Sequence, residues 1–470
     1  MPIKSLEIAG LRGFGKPQTV KFALPKGEPG SGLTFIVGAN NSGKTTIFEA
    51  IRSFIPTYDA PAFAVGKRNQ NYQGGRVHLR MEYDNNNDWI SIDTDSRNGC
   101  NTQIIKNGQV VDTRALEPRI AILQARRYVD FYFQSNSGSG DRYHYLSNQI
   151  GNSPNRSARL TGFEMRIGEM YRNKDKFDPL LKEILGYNQE WTIDMTERGD
   201  KFIKFFKGKQ YHSGEGIGDG IWSIFTICDS LYDSKPGEMI VIDEPELSLH
   251  PAYQKRVLSL FKRYAKDRQI VICTHSSYLI DMFSLTKGAE LCRTVKNENG
   301  EIEVYQLSDE SKRKIKGYLD NYFNPHIWGN TAKELFFVED GVIVVEGQDD
   351  VMLYQRAAEQ LGIALKGDFF GWGAGGAQNI PDILGILKDL GYKRVAVIYD
   401  GDMKDKKEEN EIKFSDYQFF IIPTKDIRDK KAVKAREATC GMMTERGEVK
   451  PEYQHQMSKL LHELNDCLEE

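Results

Sequence analysis

Gly38-Ala39-Asn40-Asn41-Ser42-Gly43-Lys44-Thr45 sets two glycines, a lysine and a hydroxyl at the spacing G-x-x-x-x-G-K-[ST]. The glycines let the backbone curl until its N–H groups face an anion. Lys44 then reaches the β- and γ-phosphates of a nucleotide, and the Thr45 hydroxyl ligates Mg²⁺. Asn40, Asn41, Ser42 and Thr46 belong to the same nucleotide-binding stretch. A second group is Asp243-Glu244, two acids that end the apolar run from Met239 to Ile242. There Asp243 holds Mg²⁺ and Glu244 polarises the attacking water. His275 ends a further apolar run, and its place at a strand end suits a γ-phosphate sensor. A third group lies far downstream. Glu346 follows Val342-Ile343-Val344-Val345, and Asp400 and Asp402 follow Val395-Ala396-Val397-Ile398-Tyr399. Acids at the ends of two neighbouring parallel strands meet at one sheet edge. Their hard oxygens choose Mg²⁺ or Mn²⁺.

The elements that position these groups are readable from hydrophobic period. Leu33-Thr34-Phe35-Ile36-Val37 is a buried strand leading into the glycine loop, and Thr46 onward is helical, with Ile47, Phe48 and Ile51 facing inward. Ile3 to Ile8 and Thr19 to Leu24 alternate as half-buried strands do, and Ile120-Ala121-Ile122-Leu123 is a further buried strand. Short strand-like pieces run from Arg76 to Val111, and Gln134 to Arg159, rich in Ser, Gly and Asn, reads as a loop. Phe163 to Leu185 has helical spacing suited to an arm or a dimer contact. Thr286 to Asn330 is polar and reads as connecting structure, and Lys404 to Lys413 as a solvated charged loop. From Val342 onward, strands alternate with helices, the mark of a parallel α/β sheet.

The 470 residues suggest about three domains. A hydrophobic content of 40% supports a real core, and a net charge of −3 means that any nucleic-acid contact needs local basic patches. Six scattered cysteines without a CxxC pair argue against a zinc site or a disulfide framework. The N-terminus has no signal-peptide core and no run of about eighteen apolar residues appears, so a cytoplasmic protein without membrane contact is expected.

The loop Gly38–Thr45, the segment Ser213-Gly214-Glu215-Gly216, the stretch DEPELSLHP from Asp243 to Pro251 and the strand-end His275 resemble, in that order, an ABC-type ATPase of the SMC and recombination-repair branch. The resemblance covers roughly residues 1–285. It implies that two heads sandwich ATP, with Ser213 and Gly214 of one head facing the γ-phosphate held by Lys44 of the other. It also implies a glutamine loop, for which Gln124 is the candidate. The family's long coiled coil is missing, because no sustained heptads run between Tyr128 and Gly208.

The segment carrying Glu346, Asp400 and Asp402 resembles a Toprim domain. Joined behind the ATPase through LFFVEDGVIVVEG, it makes the chain similar to the OLD family of ATPase–Toprim nucleases. That resemblance implies phosphodiester cleavage by two metals about 4 Å apart. Glu346 matches the invariant acid, Asp350 its partner four residues on, and Asp400 with Asp402 the paired aspartates. Lys425 and Asp426 are candidates for a further lysine and acid. The expected fold is α/β: an ABC-type ATPase head with a helical insert, then a Toprim-like parallel α/β domain. The expected segments are 1–130 and 209–285 for the head, 131–208 for the insert, 286–335 for a connector and 336–470 for the nuclease domain. The expected function is an ATP-regulated, divalent-metal-dependent endonuclease using ATP and Mg²⁺ or Mn²⁺. It would act on nucleic acid, DNA ahead of RNA, as a homodimer or higher oligomer, in defence against phage and with a possible defence partner protein. The rival expectation is an ATP-switched clamp or sensor with a silent Toprim centre that recruits an effector. A topoisomerase is disfavoured, since no tyrosine-bearing cleavage domain accompanies Tyr399.

Overall fold

The computed structural model describes residues 2–55, 63–84, 88–95, 102–112, 120–125, 132–133, 141–142, 163–320, 333, 335–337, 341–432 and 438–469. The chain divides into two compact units, Met1–Gln306 and Leu307–Glu470.

In the first unit a six-stranded sheet runs Ile302–Gln306, Glu290–Lys296, Leu33–Val37, Gln269–Cys273, Met239–Asp243, Ile120–Leu123. Its pairings are parallel except the outer hairpin, Glu290–Lys296 against Ile302–Gln306. The three central strands are buried at every residue. That is why they are continuous apolar runs without alternation. A second, antiparallel sheet orders Gln18–Lys21, Ile3–Ala9, His78–Tyr83, Trp89–Thr94, Thr102–Lys106 and Gln109–Val111. Its inward residues Leu6, Ile8, Leu79, Met81, Ile90 and Ile92 join the helix Lys44–Arg52 in one core.

A third sheet, Trp191–Met195, Lys201–Lys207 and Gln210–Ser213 with Tyr132–Phe133, is also antiparallel. Its buried Trp191 and Phe205 meet Phe177, Trp222 and Phe225 edge to face, an arrangement that aromatic quadrupoles favour. Among the described residues of 131–208, expected as a helical insert, helices and strands are therefore mixed. The helices Phe163–Arg172 and Lys174–Leu185 are there, but strands follow them because Lys201-Phe202-Ile203-Lys204-Phe205 alternates with period two. The loop at 134–159 lies outside the described residues apart from Asp141 and Arg142.

One buried ionic knot ties the helices of this region together. Arg166 is 1% exposed. Its Nε and Nη2 donate to Asp229 Oδ1 at 3.0 and 2.8 Å, and its Nη2 donates to Asp233 Oδ2 at 2.6 Å. Arg142 donates to Asp233 at 2.9 Å and to the Ser230 carbonyl at 2.8 Å. Asp229 sits on the helix Asp219–Tyr232, and Asp233 caps its end.

The polar stretch after Thr286 corrects the expected connector. Glu290–Lys296 and Ile302–Gln306 form the outer hairpin of the central sheet, and Asp309–Asp320 is a helix. The hairpin escaped a period-two reading because Arg293 and Thr294 are buried next to Val37 and Gly38.

The second unit has a four-stranded parallel sheet in the order Asp368–Phe369, Val342–Val344, Val395–Tyr399, Gln418–Ile421. The helix Gln348–Leu361 and the C-terminal helix Gln454–Glu469 pack on it through Val351, Tyr354, Met457, Leu461 and Leu464. Lys404–Lys413, expected as a loop, is a helix. Among its residues only Asn410 is buried, where it donates to the Tyr399 hydroxyl at 2.7 Å. No helix among the described residues is long and apolar enough to cross a membrane.

Replacing Arg166 with methionine leaves the buried Asp229 without the cation that holds it and Asp233 with Arg142 alone, and should cost roughly 3–5 kcal/mol. The readout is the urea midpoint of the first unit, followed by tryptophan emission. A midpoint equal to the parent's would contradict the role given to this knot.

Candidate functional site

The phosphate loop leaves the end of Leu33–Val37 with Gly38 at φ +145°, Asn41 at +64° and Gly43 at +108°. A Cβ on Gly43 would stand 2.5 Å from Ile302 Cδ1, and one on Gly38 would stand 2.4 Å from the Thr294 carbonyl oxygen. Only glycine fits either place. The outer hairpin thus shapes the loop from outside, and the Ser42 and Thr294 hydroxyls meet at 2.7 Å. Lys44 Nζ donates to the carbonyls of Gly38 and Ala39 at 2.9 and 2.8 Å, so its ammonium sits in the curl of the loop. Burial lowers its pKa, against the pull of Asp243, Glu244 and Glu246. The helix Lys44–Arg52 starts at Gly43 and points its positive end at the same space.

The neighbouring strand ends converge there. Asp243 closes the strand Met239–Asp243. Glu244 has φ +45° and donates its backbone N–H to the Cys273 carbonyl at 2.8 Å. A non-glycine residue in that conformation is held by its surroundings, a feature common at functional sites. Burial, and then the charge of Lys44, lower the pKa of His275, which favours the neutral imidazole. Asn40, Asn41, Gly43, Lys44, Thr45, Thr46, Glu244 and His275 line one cavity of about 510 Å³. That volume is in the range of small-ligand sites. Gln124 and the pair Ser213–Gly214 are not among its walls. Gly214 is instead held in a short turn by the Trp222 indole N–H, 3.1 Å from its carbonyl.

Several residues at this site went unnoticed in the sequence. Arg12, Asn69, Lys296 and Ile302 line the cavity. Arg12 has φ +49°, and its side chain pairs with Glu49 at 2.8 Å. Glu246 Oε1 accepts the backbone N–H of His275 at 2.6 Å. Its Oε2 is buried with no hydrogen-bond partner among the described residues, and burial pushes the carboxyl up. The turn Asn297-Glu298-Asn299-Gly300 between β-branched residues was the available sign of the hairpin that supplies Lys296 and Ile302.

In the second unit Glu346 follows the strand Val342–Val344, and Asp400 follows Val395–Tyr399. The two strands are adjacent and parallel, so the acids share an edge. Glu346 Oε1 accepts the backbone N–H of Asp400 at 3.1 Å. Asp350 accepts the Gly347 N–H at 2.8 Å and so caps the helix Gln348–Leu361. Burial, and then Asp350, Glu346, Asp426 and Asp402, push the Asp400 carboxyl up to about 8. Burial pushes Asp350 up to about 7, and Glu346 is raised as well, again by burial first. Asp426 is buried, pairs with Lys430 and accepts the Arg428 N–H at 3.2 Å. Buried acids that share an edge are costly to ionise without a cation beside them. Among the described residues no three of them converge as metal ligands do. The donor set, carboxylates alone at a strand-end edge, fits a hard ion such as Mg²⁺ or Mn²⁺. Tyr399 is buried and points its hydroxyl to Asn410, away from any role as a nucleophile.

Three family models match the chain. An AAA domain matches residues 5–210. A model described as "AAA domain, putative AbiEii toxin, Type IV TA system" matches 206–281. The Toprim domain of "Overcoming lysogenization defect protein-like" proteins matches 336–402. No curated protein matches. Among solved structures, the SMC head domain from Thermotoga maritima is 15% identical at a TM-score of 0.41, covering 66% of this chain and all of that one. An Smc head bound to the C-terminal winged-helix domain of ScpA is 16% identical at 0.46, covering 67% and 100%. An Smc head with an extended coiled coil bound to the C-terminal domain of ScpA, derived from Pyrococcus furiosus, is 14% identical at 0.44, covering 68% and 100%. At that level nothing passes from these structures to the activity of this chain.

Gly43→Ala puts a methyl against Ile302 and strains a left-handed backbone, so the loop must open. ATP binding measured by calorimetry should fall at least about tenfold, the effect of roughly 1.4 kcal/mol. Affinity equal to the parent's would mean that the loop does not hold phosphate.

Proposed function

We propose that this chain, an ATPase–Toprim fusion of the OLD type, is an ATP-regulated, divalent-metal-dependent nuclease. The observation that carries the reading is the sheet edge at which Glu346 Oε1 accepts the Asp400 N–H, with Asp350, Asp402 and Asp426 close enough to raise the Asp400 pKa. Glu346, Asp350, Asp400 and Asp402 would hold Mg²⁺ or Mn²⁺. When bound, the metal supplies charge stabilisation to the phosphodiester oxygens. The chain itself places the acids. Glu346 and Asp400 are fixed to each other through one backbone hydrogen bond, and Asp350 is fixed to Gly347.

In the first unit the loop N–H groups and Lys44 would hold the phosphates of ATP, and Thr45 with Asp243, at the end of the neighbouring strand, would hold its Mg²⁺. Glu244 orients and deprotonates the attacking water, and His275 meets the γ-phosphate as a neutral imidazole. Glu246 fixes the backbone from which His275 projects. Ser213 and Gly214 lie off the walls of the cavity. They would act on the nucleotide of a second head in a homodimer or larger assembly, as the resemblance to ABC-type ATPases implies. DNA is the preferred target, and defence against phage, alone or with a partner protein, is the biological setting we favour. Residues 1–130 and 209–285, with the hairpin 290–306, make up the ATPase head, and 336–470 the nuclease domain.

Glu244→Gln keeps the shape of the site but cannot take the water's proton. Steady-state ATPase should drop about 10²–10⁴-fold while ATP binding survives, and an unchanged rate would remove Glu244 from this role. Lys44→Ala should abolish binding in the same calorimetric assay.

Alanine at Glu346, Asp400 or Asp402 should stop nicking of supercoiled plasmid in Mg²⁺ or Mn²⁺ and leave ATP turnover nearly intact. Assaying both activities on one preparation checks this. Nicking that persists in Asp400→Ala, or ATPase that collapses with it, overturns the assignment of two chemistries to two units.

A further inference from the structure

We propose that Trp372 is a stacking platform for an unpaired nucleobase beside the phosphate on which the strand-end acids act; this rests on the nuclease reading above. Trp372 belongs to the loop Phe370-Gly371-Trp372-Gly373-Ala374-Gly375-Gly376. That loop is fastened along the strand that delivers Glu346. The Phe370 N–H donates to the Ile343 carbonyl, Ala374 to Val345, and Gly376 to Glu346 itself, each at 2.8 Å. Asn379 Nδ2 holds the Ala374 and Gly375 carbonyls at 3.0 and 3.1 Å. Gly371, Gly373, Gly375 and Gly376 all have positive φ, between +52° and +122°. A Cβ on Gly373 would stand 2.6 Å from the backbone of Gly347. The loop therefore presses directly on the residue after Glu346, and its path is fixed.

Against that background one side chain stands out. Phe370, Gly371, Gly373 and Ala374 are buried, while Trp372 is 39% exposed. Leaving an indole in water forgoes more burial energy than leaving out almost any other side chain. A loop that buries its neighbours, leaves its largest ring half in water and is hydrogen-bonded along the strand that delivers Glu346 has its ordering cost met before any ligand arrives. Nucleobases offer flat faces that stack on indole whatever the sequence. A duplex hides those faces, so the ring selects single-stranded or locally opened nucleic acid. Because the loop is hydrogen-bonded to Val345 and Glu346, a nucleotide stacked there would bring its phosphate to the carboxyl end of the same sheet.

The test uses the full chain and a short, labelled single-stranded oligodeoxynucleotide, with binding read by anisotropy and by tryptophan emission, in Ca²⁺ and in EDTA. Wild type should bind with quenched emission. Trp372→Ala should weaken binding about 5- to 150-fold, as expected for one lost stack, and Trp372→Phe should stay within about 3-fold of wild type while losing the quenching. Affinity for a blunt duplex should change little, and light scattering should show an unchanged assembly. Trp372→Ala that binds the single strand as wild type does overturns the platform while plasmid nicking leaves the nuclease reading standing. A Trp372→Ala protein whose assembly falls apart assigns the ring to an interface between copies and also overturns it. Wild type that neither nicks plasmid nor binds the strand brings down both readings together.

Discussion

A parallel strand buried on both faces carries charge at least cost where it ends. That constraint governs both units of this chain. Leu33–Val37, Met239–Asp243 and Gln269–Cys273 are buried at every position. The chain keeps its glycine loop, its acids and its histidine for the residues at or just beyond their carboxyl ends. Val342–Val344 and Val395–Tyr399 repeat the arrangement with Glu346 and Asp400. Because the strands run the same way, their ends gather polar groups at one edge without any of those groups having to enter the core.

Gathering like charges has an electrostatic cost, and each unit offsets it differently. In the first, Lys44 and the end of the helix Lys44–Arg52 supply positive charge to the space that Asp243 and Glu244 approach. In the second the carboxylates outnumber the cations beside them. Asp400 and Asp350 hold their protons to about 8 and about 7, where an isolated aspartate would have lost them near 4. A hard cation would offset the same repulsion.

Much of this was legible in the residues. The strands at 33–37, 120–123 and 395–399 were readable to the residue because burial on both faces leaves an unbroken apolar run, whereas the strand expected to end at His275 closes two residues earlier, at Cys273. The hairpin at 290–306 was not readable, because buried Arg293 and Thr294 break its period. With it went Lys296 and Ile302, which close the cavity at the glycine loop from outside. The helix Lys404–Lys413 gave no apolar stripe, as only Asn410 is buried. It is carried by good helix formers and by pairs such as Lys407–Glu411 at 2.8 Å. The acids at 346 and 400 were visible as strand-end residues. The hydrogen bond that joins them depends on strand order, which no local pattern encodes.

The central claim is that the edge formed by Glu346 and Asp400 gathers carboxylates for a divalent cation. Calorimetric titration of Mn²⁺ into nucleotide-free protein tests it most directly. Binding should persist in Lys44→Ala and be lost in Asp400→Asn and in Glu346→Gln, with all three variants folded by circular dichroism. Mn²⁺ binding that is the same in Asp400→Asn as in the parent would contradict it.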